Sequence, residues 1–416
     1  MKYVKHYECT LCHKTYPKEL DYFTCPDCGE EGILDIIYDY ELMKQVVNAD
    51  YFKNNHTDSI WRYLPMLPVK AEFTKNTLRV GMTPLYKAQN LGKFLKMENL
   101  YVKDEGVNPT QSLKDRASVI AVVKALEKNQ KTIACSSTGN AASSLAGNAA
   151  KANLKTVIFV PKRAPLGKLA QLMIYGSTVI KVDGDYKAAF SLSKLAIEAN
   201  GWYNRNAAIN PHLVEGKKTV ALEIAEQLGF KTPDWVVVSV GDGCTIAGVY
   251  KGFYDLVQLG LIAKVPRLLG VQSAGCAPFY KAYINNMPLE PAEENTIADS
   301  IAVGIPRNPV KAMNAVKYSL GSWIAVTDEE ILQAMKLLGN TEGIFSEPAA
   351  AASLAGLIKG VEANTINNSD TVVFISTGNG LKDTKNALEA IEEPVTLPNN
   401  IDRFNEYMKI RRRNNE

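Results

Sequence analysis

The sequence predicts an α/β protein: two open parallel sheets with a small cysteine-rich appendage at the N-terminus. Three observations carry this. Strand-like runs alternate with helix-period segments, several runs end in glycine-rich turns, and two cysteine pairs fall within the first 28 residues. The runs are Leu100–Lys103, Thr132–Cys135, Thr156–Val160, Thr178–Val182, Trp235–Val240, Arg267–Val271 and Thr371–Ile375. Such alternation reads as β-α-β units, whose ligand loops lie at the carboxyl ends of the strands. A length of 416 residues suits two domains and an appendage.

Composition narrows the function. The chain is 46% hydrophobic and 22% charged, so its core is ample and disorder is excluded. A net charge of +3 points to no nucleic-acid or membrane partner, and the basic stretch Lys409–Arg413 reads as a solvated terminus. No apolar stretch is long enough to span a bilayer, and Met1–His6 lacks a signal-peptide core. The seven cysteines do not form a disulfide pattern, so a cytoplasmic location is expected.

From the N-terminus, Cys9-Thr10-Leu11-Cys12 and Cys25-Pro26-Asp27-Cys28 are two C-x2-C knuckles separated by twelve residues. Four thiolates on two knuckles close a tetrahedron around Zn²⁺, and Gly29 suits the tight turn. Redox pairs are the competing reading, but no β-α-β pattern surrounds them. A structural zinc ribbon over 1–40 is expected, with His13 a bystander. Cys135, Cys244 and Cys276 sit in or beside apolar runs and read as small buried residues.

Next comes Val107–Ser118, where Asn108-Pro109-Thr110 is a turn and Ser112 is expected to cap a helix. Lys114 then falls in the first helical turn, where the helix dipole disfavours a cation. A lysine whose pKa is lowered by burial and positive surroundings is a nucleophile toward carbonyls and forms a Schiff base. A lone lysine would more simply be solvated on a helix face. Three further turns argue otherwise. Ser137-Thr138-Gly139-Asn140, before the helical stretch Ala141–Lys151, offers hydroxyls and N–H groups to a carboxylate. Gly241-Asp242-Gly243-Cys244-Thr245, after the run Trp235–Val240, suits a phosphate at a helix N-terminus. Ser376-Thr377-Gly378-Asn379-Gly380 follows the run Thr371–Ile375. Each alone caps any β-α junction; together they are the parts of a pyridoxal phosphate (PLP) site.

From about Gly81 to Lys385 the chain resembles threonine synthase and its relatives among the fold type II PLP enzymes. The family's N-P-T-G-S-F-K-D-R-G is present as Asn108 to Ala117, with Lys114 matching the Schiff-base lysine. Its E-G-Q-K-T is Glu215-Gly216-Lys217-Lys218-Thr219, its G-I-F-x-E-P is Gly343 to Pro348, and its T-G-H-G-L-K-D is Thr377 to Asp383. The resemblance implies that Asn140 contacts the cofactor 3′-oxygen and that Thr377 hydrogen-bonds the pyridine nitrogen. A hydroxyl there leaves that nitrogen largely neutral, which restricts the chemistry to elimination and replacement at Cβ or Cγ. It also implies that Gly241, Gly243, Cys244 and Thr245 cradle the cofactor phosphate, that Ser137 and Thr138 orient the substrate carboxylate, and that residues 116–210 form a small mobile domain against a large one of 41–115 and 211–416.

The match departs from the family at the substrate. Where relatives read N-S-x-N-P-x-R-x-E-G, this chain has Ala207, Ala208 and Leu213, so two donors and a charge are lost; Gln111 replaces a glycine. The expected activity is conversion of O-phosphohomoserine and water to threonine and phosphate, with the phosphate site rebuilt from Arg205, Lys217 and Gln111. The alternatives are a cysteate synthase-like enzyme on O-phosphoserine, a serine/threonine deaminase, or a non-catalytic scaffold whose ribbon docks a partner. Retention of Lys114, Asn140 and Thr377 speaks against the scaffold. A homo-oligomer acting on a small amino-acid substrate is expected.

Overall fold

The computed structural model describes residues 1–19, 22–164, 166–206 and 208–414. Strands β1 (Val4–Cys9), β2 (Thr15–Tyr16) and β3 (Leu34–Tyr38) make an antiparallel ribbon in the order β2-β1-β3. The chain then enters the larger sheet with β4 (Leu85–Lys87) and β5 (Leu100–Asp104) and leaves it through helix Lys114–Glu127. The second sheet follows: β6 (Thr132–Ser136), β7 (Lys155–Pro161), β8 (Thr178–Val182) and β9 (Tyr203–Asn204). The chain returns with β10 (Trp235–Ser239), β11 (Arg267–Ser273), β12 (Ser322–Val326) and β13 (Val372–Ser376).

The larger sheet has the order β12-β11-β10-β13-β5-β4, parallel except for β4, and the smaller one β8-β7-β6-β9, all parallel. All seven strand-like runs of the sequence are strands. β4, β9 and β12 are additional: the first two have three residues or fewer, and β12 carries only a short apolar run after Gly321. β10 and β13 are buried along their whole length, as parallel strands covered on both faces must be. Their side chains alternate between two cores, with Val236 and Val238 in one and Trp235 and Val237 in the other. The smaller sheet has its own core around Ile133, Ile158 and Leu145.

The strand order places the site. β10, β13 and β5 are neighbours in register, with Trp235 opposite Val372 and Val372 opposite Leu100. Their carboxyl ends therefore release the glycine loop, the Thr377 turn and the lysine turn side by side. The ribbon is no pendant appendage: Tyr7, Leu34, Ile36 and Tyr38 belong to the same core as the larger sheet. Among the described residues, no helix is long and apolar enough to cross a membrane.

Candidate active site

Lys114 is the first residue of helix Lys114–Glu127. The expected cap is not there: Ser112 makes no capping bond, and its Oγ is buried without a partner among the described residues. Asp115 organises the turn instead. Its carboxylate accepts from the Thr110 N–H and hydroxyl, each at 2.8 Å, and from Asn148 Nδ2 at 2.7 Å. Burial raises the Asp115 carboxyl to about 6. One residue on, Arg116 is fully buried and bonds Glu105 Oε2 at 2.6 Å and Glu223 Oε1 at 2.5 Å. Breaking such a buried pair by removing one partner costs about 3–5 kcal/mol, so the root of the lysine turn is rigid. Gln111, at the family's glycine, has φ +67°, the left-handed conformation that glycine adopts freely.

The other turns gather around this lysine. Leu113 N–H donates to the Thr377 carbonyl at 2.9 Å, and Asn379 N–H to the Gln111 carbonyl at 3.1 Å. Glu347 N–H donates to the Gly378 carbonyl at 3.0 Å, and Asn140 Nδ2 donates to Glu347 Oε1 at 2.7 Å. Asn140, Glu347, Thr377 and Lys114 thus form one connected set. Burial pushes the Glu347 carboxyl up to about 7. Ser137 Oγ accepts from Gly139 N–H at 3.2 Å in the small-residue turn that also holds Thr138.

Gly241, Gly243, Cys244 and Thr245 form the loop after β10. Gly243 has φ +87° and caps helix Cys244–Gln258 without a side-chain bond, leaving the first N–H groups for a ligand. A Cβ at Gly243 would stand 2.7 Å from Ala312 Cβ and 2.9 Å from the Asn308 carbonyl oxygen, so no other residue fits this turn. Orphan hydroxyls lie in the same segments: Ser136, Ser239 and Ser376 end β6, β10 and β13, Ser112 precedes Lys114 and Ser346 precedes Glu347, and each buries an Oγ with no partner among the described residues. Buried donors left idle are costly unless a ligand satisfies them. An amine, a glycine-turned anion cradle and idle hydroxyls are the donor set that PLP needs.

Arg205 and Lys217 complete the positive field. They are 1% and 3% exposed, yet neither forms a direct ion pair with a described acidic residue; Asp115 acts on Arg205 and Asp242 on Lys217 only through space. Arg205 Nε and Nη2 reach only Ser118 Oγ, at 3.1 and 3.0 Å. Burial, then the Lys217 and Arg205 charges, bring the Lys114 amine down to about 8. Burial likewise lowers the pKa of both Arg205 and Lys217.

Two residues lie in the family motifs but were given no role of their own by the sequence. Glu347 accepts from Asn140 Nδ2. Lys382 Nζ donates to the Thr110 carbonyl at 2.9 Å and to Ser143 Oγ and Gln171 Oε1 at 3.1 Å, joining the two halves of the molecule. Of the departures, Leu213 is buried in the smaller sheet's core and Ala208 in an apolar cluster with Ile33, Val214 and Cys244; Ala207 lies outside the described residues. At one end of the ribbon, the sulfurs of Cys9, Cys12, Cys25 and Cys28 all lie within 4.8 Å of one another. Cys12 and Cys25 are 3.7 Å apart, close to the roughly 3.8 Å edge of a tetrahedron with Zn–S bonds of about 2.3 Å.

A lysine amine so lowered, between a phosphate cradle and a hydroxyl-bearing turn on parallel sheets, defines a PLP-dependent lyase. The family model described as pyridoxal-phosphate dependent enzyme matches residues 77–378. Threonine synthase of Methanosarcina acetivorans is 41% identical over 96% of this chain and 98% of its own length, and that of Methanocaldococcus jannaschii 42% over 94% and 96%. The chain belongs to the threonine synthase family of PLP-dependent enzymes. Its fold is also that of the processed form of threonine deaminase isoform 2 from Solanum lycopersicum, with a TM-score of 0.65 at 21% identity over 81% of this chain and 95% of that one.

Proposed function

We propose that the protein makes threonine from O-phosphohomoserine and water with release of phosphate, and that Arg205 and Lys217, with Gln111 at the rim, hold the substrate phosphate. The observation that carries the reading is the meeting of two buried cations, neither in a direct ion pair with a described carboxylate, beside Lys114. Uncompensated buried charge is expensive, and a dianionic ligand relieves it. Bound at Lys114, PLP supplies the electron sink for chemistry at Cα, Cβ and Cγ.

The protein supplies position and proton transfer. The glycine loop of Gly241, Gly243, Cys244 and Thr245 would hold the cofactor phosphate, Thr377 would serve the pyridine nitrogen, and Asn140 the 3′-oxygen. Ser137 and Thr138 orient the substrate carboxylate. Lys114, with its lowered pKa, takes and returns protons at Cα and Cβ near neutral pH. Residues 116–210 act as the smaller, closing body against 41–115 and 211–416, with Lys382 spanning the gap. Cys9, Cys12, Cys25 and Cys28 hold a structural Zn²⁺, supported by their sulfur spacing.

The test is turnover of O-phosphohomoserine, O-phosphoserine, serine and threonine by the holoenzyme and by Lys114→Ala, reading released phosphate and ammonia. Phosphate release from O-phosphohomoserine, lost with Lys114, is expected. Ammonia from serine or threonine without turnover of any phosphorylated substrate would replace this reading with a deaminase.

A further inference from the structure

Ile33 follows Gly32, which lies against the sulfur cluster, and packs on the segments that carry Arg205, Lys217 and the glycine loop. Its backbone is held between the two knuckles. The Ile33 carbonyl accepts from the Thr10 N–H and hydroxyl, each at 3.0 Å, and the Gly32 carbonyl accepts from Cys25 N–H at 2.7 Å. A Cβ at Gly32 would lie 2.6 Å from the Cβ atoms of Cys25 and Cys28 in one knuckle and 3.4 Å from Cys9 Sγ in the other, so the chain passes this close only because Gly32 has none.

Beyond the ribbon, the Ile33 side chain packs with Ala208, Val214 and Cys244, and all four are buried. These neighbours carry the site. Ala208 follows Arg205, Cys244 opens the helix behind the glycine loop, and Val214 lies three residues before Lys217 in helix His212–Lys217. Residues three apart share a helix face, so the face that Ile33 presses also carries Lys217. That helix is also close-packed against the helix behind the glycine loop: a Cβ at Gly248 would meet Lys217 Cβ at 3.0 Å and the Val214 carbonyl oxygen at 3.2 Å. Two more bonds from the ribbon fix the helix: Tyr7 Oη lies 2.9 Å from His212 Nε2, and Tyr38 Oη donates to Glu215 Oε2 at 2.5 Å.

We infer that the four-cysteine ribbon is a wall of the substrate pocket and that Ile33 is a positioning residue, wedging helix His212–Lys217 against the glycine loop and fixing the Lys217 ammonium. The inference rests on reading Arg205 and Lys217 as the substrate-phosphate site. It assigns the ribbon a part in phosphate recognition beyond stability.

The experiment compares full-length holoenzymes: wild type, Ile33→Ala, Tyr7→Phe and, as a control on the exposed side of the ribbon, Lys5→Ala. Read-outs are the dissociation constant of inorganic phosphate, KM and kcat for O-phosphohomoserine, and the visible absorbance of lysine-bound cofactor. Ile33→Ala should weaken phosphate binding and raise KM on the order of tenfold, the penalty of a small displacement, with kcat and absorbance held within about twofold. Tyr7→Phe deletes one hydroxyl and keeps the packing, so it serves even where Ile33→Ala fails to fold; about a threefold rise is expected. Lys5→Ala should match wild type. Wild-type phosphate affinity in Tyr7→Phe and in folded Ile33→Ala, with only a lower melting temperature, would overturn the inference and leave the anion site intact. Absence of phosphate binding in wild type would instead remove the anion site, and this inference with it.

Discussion

Restoring the family's arginine by Leu213→Arg should cost the fold more than it gives to recognition. Leu213 is 1% exposed and packs in the smaller sheet's core with Ala117, Leu145 and Tyr203, with Phe23 against it. Losing a buried leucine forfeits about 2 kcal/mol. A guanidinium placed there with no acid partner adds about 3–5 kcal/mol. Together they approach the whole stability of an ordinary domain, about 5–15 kcal/mol. Urea unfolding of the holoenzyme at fixed cofactor, followed by far-UV circular dichroism and visible absorbance, should show the midpoint collapsing or the protein failing to accumulate. Ala208→Ser is milder at about 1–3 kcal/mol, because it buries one hydroxyl among Ile33, Val214 and Cys244. A stable Leu213→Arg enzyme with tighter phosphate binding would refute the reasoning. Position 213 would then face the cleft, and the anion site would not belong to Arg205 and Lys217.

Lys217→Gln, the residue that relatives carry, should weaken inorganic phosphate inhibition by about 2 kcal/mol, or roughly thirtyfold, while leaving cofactor absorbance unchanged; equal inhibition of both proteins would dismiss Lys217. In cofactor-free protein, covalent capture of PLP needs the neutral Lys114 amine, so the rate should climb with pH and level off above about 8, where an ordinary lysine would still be climbing near about pH 10. Because the folded pKa is lowered, the unfolded chain binds more protons between about 8 and 10.5, and the cofactor-free protein should gain stability as pH rises through that window; a flat profile counts against the buried amine. Cys9→Ser with Cys12→Ser should release one Zn²⁺ per chain and loosen the ribbon while sparing cofactor absorbance. Protein produced with zinc present and found to contain none would end the zinc assignment.

Much of the site was legible because its parts are local. A lysine at a helix start, a glycine loop behind an apolar run and two cysteine knuckles each leave a contiguous mark, and so do seven strand-like runs. What was missed depends on contacts between distant segments. Ser112 looked like a cap, yet Asp115 fixes that turn because Thr110 and Asn148 surround its carboxylate. Lys382 and Glu347 gain their meaning only where the two halves of the molecule meet.

By itself the sequence determined the class of fold, and it singled out a candidate cofactor lysine and four clustered cysteines, because hydrophobic period, turn chemistry and ligand spacing act within a few residues. Only the tertiary structure decided which cations stand unpaired around Lys114, that residue 213 faces a core, and that Ile33 of the ribbon packs on Val214 and Cys244. Those depend on burial and on the absence of a partner, which are properties of the packed molecule.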